Sequence, residues 1–163
     1  MQKYAGETTS AIYPEGSPNP DGPTEPELFL QTMQSGDYSQ LDAGLADYRQ
    51  IYERLQNLTV PKNLIAFHKE ELNIFSSLIK VYQGVRTFND DPLKSFLAIQ
   101  TYQATMQQMI GWMTRLDQFM AANYGKWFLK IQQKNIIRWL QNSSEVRLRD
   151  AFEVGLRAPR WVL

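Results

Sequence analysis

One histidine is available for chemistry in this chain. His68 sits one turn beyond Leu64 on an apolar helical seam. Two readings fit it. A histidine and a methionine can ligate a b-type haem inside a helical bundle, and Met106, Met109 and Met113 repeat at helical spacing on a later segment. Alternatively, His68 is a core histidine hydrogen-bonded to a neighbouring side chain, and the methionine stripe is flexible core filler. The carboxylate pairs Glu70-Glu71 and Asp90-Asp91 are adjacent in sequence, so on a helix their side chains diverge. No Glu-x-x-His pair is present, which removes the di-iron bundle pattern. A nucleophile elbow, a phosphate-binding loop and a dinucleotide fingerprint are also absent. A chain without cysteine has no thiol nucleophile, thiolate metal site, covalent haem link or disulfide. These residues predict a non-enzymatic protein without a cofactor. The alternative is a bundle that binds an apolar small molecule or haem through His68, Met106, Met109 and Met113.

The strongest surface pattern is basic. Lys126, Lys130, Lys134 and Arg138 step by four residues, which aligns them along one helix face over about 18 Å. Trp127 and Trp139 flank the stripe, and Phe128, Ile131, Ile136 and Leu140 occupy other faces. Such a helix fits a protein assembly partner or an anionic membrane surface, with Trp127 and Trp139 as apolar anchors. It equally fits the solvated side of a final bundle helix, with Asp37, Asp42, Asp47 and Glu53 as intramolecular counter-charges. Neither the balanced total charge nor any reading motif favours nucleic acid.

Positioning these residues requires helices. Thr24 and Glu27 form a capping-box pattern ahead of a short helix over about 25–34, and Gly36 stops it. Ser39 and Asp42 open the next helix, whose Leu41, Leu45, Tyr48, Tyr52 and Leu55 alternate steps of four and three. Pro61 reads as the first residue of a third helix, with Leu64, Leu72, Phe75, Ile79 and Tyr82 on one face. Asp91 then caps and Pro92 opens the longest helix, about 91–123. Its seam is Ile99, Tyr102, Met106, Met109, Met113, Leu116 and Met120. Gly125 ends or kinks it, a further helix follows over about 126–141, Asn142 with Glu145 forms a capping-box pattern for a last short helix to about 154, and Gly155 and Pro159 close the run. No strand-like alternation of useful length appears. The expected fold is all-α: an antiparallel bundle of three long helices plus several short ones.

The 163 residues suffice for one domain that buries a core without disulfides or metal. Pro14, Pro18, Pro20 and Pro23, interspersed with Gly and Ser, predict a flexible tail or linker over 1–24. The bundle then spans 25–157 and a C-terminal tail 158–163. Seventeen basic residues balance seventeen acidic ones, but unevenly. Residues 1–60 carry three basic and nine acidic side chains, whereas residues 126–163 carry eight and three. Surface binding is therefore expected at the basic end. No apolar run reaches membrane-spanning length, and the first 25 residues lack the form of a signal peptide. Asn57-Leu58-Thr59 and Asn142-Ser143-Ser144 match the glycosylation acceptor pattern, which matters only in a eukaryotic secretory setting.

Val60-Pro61, Leu64, His68, Leu72, Asp91-Pro92 and Tyr102 together resemble a pattern in uncharacterised helical proteins of candidate-phyla bacteria. The resemblance covers about residues 55–125. It implies a cell-envelope protein with an extracytoplasmic helical domain behind an N-terminal signal or anchor, and it implies no catalytic activity. A flexible segment at the N-terminus is consistent with an anchor removed ahead of Met1; without one, the expected location is the cytoplasm. The function expected on these grounds is a structural or adaptor module presenting a helical surface to a protein assembly or membrane.

Overall fold

A computed structural model describes residues 2–12 and 23–124. Their elements are α1 (Gln2–Ile12), α2 (Glu25–Ser35), α3 (Ser39–Gln56), a 3-10 turn (Lys62–Leu64), α4 (Ile65–Val85) and α5 (Pro92–Tyr124). The fold is all-α, and no strand occurs among the described residues. No helix among them is long and apolar enough to cross a membrane.

Local chemistry sets most boundaries. The Glu27 carboxylate accepts the Thr24 backbone N–H at 2.8 Å and the Thr24 hydroxyl at 2.9 Å, closing the start of α2. Gly36 ends α2 at φ 70°, a left-handed conformation that a Cβ would penalise. The Asp91 carboxylate accepts the Lys94 N–H at 3.0 Å, and Pro92 begins α5 where its missing N–H leaves no gap. Pro61 departs from expectation. It opens the 3-10 turn, and the α-helix starts only at Ile65.

The packing of α4 also differs from its predicted single face. Leu72 and Ile79 are only partly buried, while Ile74, Leu78, Val81 and Val85 are fully enclosed. The reason is position: α4 packs against both α3 and α5, so more than one side of it is covered. Its last turn approaches α5 very closely. A Cβ added at Gly84 would lie 2.6 Å from the Cβ of Ala98, and the Ser95 hydroxyl donates to the Gly84 carbonyl at 2.8 Å. At the other end, the Trp112 indole N–H reaches the Phe67 carbonyl at 2.9 Å. The order of these contacts runs opposite along the two helices.

Residues 2–12 fall within the stretch expected to be a flexible tail, yet they form α1. Tyr4, Thr8 and Ala11 recur at steps of four and three; Thr8 and Ala11 are buried, and Tyr4 is partly so. That spacing makes an apolar helical stripe despite the polar composition, and contacts supply what intrinsic propensity does not. The helix expected at 126–141, the short helix expected after Asn142 and the tail at 158–163 lie outside the described residues.

Candidate functional site

Three places in the fold concentrate side chains that could act. The first is a partly buried carboxylate. Glu25, in the first turn of α2, receives hydrogen bonds from Tyr48 on α3, Tyr82 on α4 and Tyr102 on α5. Tyr82 donates to Oε1 at 2.8 Å, Tyr102 donates to Oε2 at 2.6 Å, and Tyr48 also donates to Oε1. Phe29, one turn on, stands edge-on to the Tyr82 and Tyr102 rings at 5.1 and 5.4 Å. Burial pushes the Tyr48 and Tyr82 phenols well above their ordinary range, and the Glu25 charge adds to it. Tyr48 and Tyr82 therefore remain protonated donors, and with Tyr102 they engage both oxygens of the carboxylate. This node joins four helices; its chemistry is that of a polar pin.

The second place surrounds His68. Its Nδ1 lies 3.0 Å from the Tyr4 hydroxyl and 3.2 Å from Oε2 of Glu71, one helical turn along α4. An Nδ1–H would donate to Glu71, whereas a bare Nδ1 would accept the Tyr4 proton. His68 is 6% exposed and Glu71 1%. Desolvation raises the Glu71 carboxyl pKa, and hydrogen bonding to His68 pulls it back only in part. Burial, followed by the nearby Glu71 charge, pushes the Tyr4 phenol up to about 12. Oε1 of Glu71 is buried without a hydrogen-bond partner. The core-histidine reading thus gains two named partners. Met109 lies in the main core cluster, and Met106 and Met113 pack against it. No group of three or more His, Cys, Asp or Glu side chains suited to a metal occurs among the described residues.

The third place is the outer side of α5. Leu93, Phe96 and Leu97 are 69%, 54% and 54% exposed, and Ile110 further along is 45% exposed. The Phe88 ring from the preceding turn stands edge-on to Phe96 at 6.1 Å. From Ser95 to Thr114, twenty residues in succession carry no charge. Solvated helix faces are ordinarily charged, so an uncharged one is the informative feature here.

Lys126, Trp127, Lys130, Lys134, Arg138 and Trp139 all lie outside the described residues. Asp42, one of the carboxylates expected to face the basic stripe, instead pairs with Arg86 at 2.6 Å on the surface. The Glu25 node escaped the sequence reading, although a signal existed. Tyr48, Tyr82 and Tyr102 each lie on an apolar seam, where a phenolic hydroxyl needs an acceptor. Glu25 next to a proline-bearing helix start could supply one. Comparison with protein-family models, with curated proteins and with solved structures returns no match to this chain.

Proposed function

We propose that the chain is a non-enzymatic structural or adaptor module of the cell envelope, in which an antiparallel bundle of three long helices presents a helical surface to a protein assembly. The observation that carries this reading is the uncharged outer face of α5, with Leu93, Phe96, Leu97 and Ile110 exposed on it. Interface cores are depleted of charge and enriched in aromatic residues, and exposed apolar patches mark interaction sites. The polar groups inside the bundle support the same reading. Glu25 is engaged by three phenols, and the His68 Nδ1 lies within hydrogen-bond reach of Tyr4 and Glu71. The basic stripe Lys126, Lys130, Lys134 and Arg138 would add charge to the surface, toward an acidic partner or an anionic membrane. Placement at the envelope rests on the resemblance of residues 55–125.

A cross-linking pull-down from membrane and soluble fractions, identified by mass spectrometry, tests the proposal. Recovery of envelope proteins by the parent chain is expected, with weaker recovery by Phe96→Glu and by charge reversal at the four basic positions. Recovery only from the soluble fraction, with no protein partner, would sink it.

A further inference from the structure

The outward residues of α5 follow a regular pattern. Leu93, Phe96, Gln100, Gln103, Gln107, Ile110 and Thr114 step alternately by three and four, and all seven are exposed. That alternation defines a second seam, opposite the buried one, of the kind that packs against another helix. We propose that its occupant is the same seam of a second copy of the chain, making a twofold antiparallel dimer. This rests on reading α5 as the interaction surface and names the partner.

The seam is self-complementary in one direction. With the twofold axis beside Gln100 and Gln103, Leu93 of each copy meets Ile110 of the other, and Phe96 meets Gln107. Gln100 then faces Gln103, and each amide can both donate and accept across the axis. Such an interface uses the same patch twice, as twofold symmetry requires.

Charge selects the same direction. Asp90 and Asp91 precede the seam, and Arg115 follows it. In the antiparallel pairing Arg115 of one copy comes beside Asp90 and Asp91 of the other. Arg115 is 52% exposed and pairs with Glu70 within its own chain, yet the guanidinium has donors enough for a second carboxylate. A parallel pairing would set Asp91 against Asp91 and Lys94 against Lys94, which is repulsive.

Size argues for a reversible association. From Leu93 to Ile110 the seam runs about 26 Å, one helix wide. That is short of a standard interface, which buries about 800 Å² per partner.

Because the chain is cysteine-free, the register can be tested by mixing two full-length variants, Gln100→Cys and Gln103→Cys, under mild oxidation. The mixed disulfide between the two variants is expected in excess over either self-disulfide, since residue 100 of one copy faces residue 103 of the other. A Gln31→Cys chain, altered at an exposed position of α2 away from the seam, should form no intermolecular disulfide. Sedimentation of the unmodified chain should show a dimer that dissociates on dilution and is lost in Phe96→Glu, with helicity unchanged in circular dichroism. A chain that stays monomeric at every concentration, with no preferential mixed disulfide, overturns the dimer. If that monomer still captures an envelope protein through a Phe96-dependent contact, the adaptor reading survives alone. If capture is absent as well, both fall. Excess self-disulfides at residue 100 and at residue 103 would overturn the antiparallel register.

Discussion

Glu25 is the residue on which the most structure converges. Its two oxygens serve three phenols from three other helices, so loss of the carboxylate strands three donors in a partly buried site. Tyr82→Phe removes one hydrogen bond to a carboxylate and should cost about 1.5–3 kcal/mol. Glu25→Ala should cost more than any single tyrosine change, about 3 kcal/mol or above, since each orphaned donor carries a desolvation penalty of about 1–3 kcal/mol. Urea unfolding of Glu25→Ala, Tyr48→Phe, Tyr82→Phe and Tyr102→Phe, with one Glu25/Tyr82 double-mutant cycle, would measure this. Equal losses in Glu25→Ala and Tyr82→Phe would refute the shared-acceptor geometry.

The same phenols set the alkaline behaviour. Tyr48 and Tyr82 have raised pKa values in the folded state, so the native protein keeps protons that the unfolded chain releases. Their contribution is complete below the ordinary phenol value of 10.0 and declines as pH rises beyond it. Melting temperature should therefore fall steeply on the alkaline side, and less steeply in Tyr48→Phe. Two carboxylates should oppose each other at lower pH. Asp42, held down by the hydrogen bond from Arg86, contributes stability that is lost as pH falls through its lowered value. Glu71, raised by desolvation, contributes most when protonated and loses that contribution as pH rises through its raised value. Glu71→Gln should accordingly gain stability relative to the parent from acid to neutral pH. A pH-independent difference would count against a desolvated, ionisable Glu71.

At the scale of elements, close approaches decide how the helices sit. Gly84 lets α4 and α5 meet at the distance of Ala98, and Gly44 lets Tyr82 cross α3. A Cβ at Gly44 would fall 2.8 Å from Cε1 of Tyr82. Gly84→Ala should destabilise by about 1–3 kcal/mol through overpacking, as the Ala98 contact involves two short side chains with no rotamer to yield. Gly44→Ala should act differently, displacing the Tyr82 ring from Glu25. Its cost should shrink in a Tyr82→Phe background, which chemical denaturation of the pair would reveal. Gly36→Ala, with open space around it, should cost only the left-handed backbone term of about 1–2 kcal/mol. A hydrogen bond between Tyr4 and His68 ties α1 to α4. Amide exchange should be faster in α1 than in α4, and Tyr4→Phe should accelerate α1 alone.

Across the whole molecule, interior and surface polar groups are used in opposite ways. Inside, the Glu25 carboxylate and the phenols of Tyr48, Tyr82 and Tyr102 engage one another, and α4 lies among α3, α5 and that node. Outside, α5 leaves an uncharged strip where a solvated helix would carry lysines and glutamates. Leu93→Glu and Phe96→Glu remove surface apolar area that the fold does not use, so they should shift unfolding by no more than about 0.5 kcal/mol. Their effect should appear in association instead, and a large loss of stability would place those residues in the core.

Much of the fold was legible in order along the chain. Thr24 with Glu27, Gly36, and Asp91 with Pro92 marked helix ends, because caps and stops are local: their hydrogen bonds span three or four residues. The seams of α3 and α5 were legible for a related reason, since burial on one side leaves a period in the sequence. Other features required the tertiary structure. The breadth of burial on α4 depends on neighbours on two sides, and residues 2–12 become a helix where Tyr4, Thr8 and Ala11 find cover. The Glu25 node brings together residues 23, 57 and 77 positions apart, and no local pattern records such a meeting. The exposed seam of α5 belongs to both levels. Its spacing is written in the sequence, but only the packing of α5 against α4 decided which of its two seams would face outward.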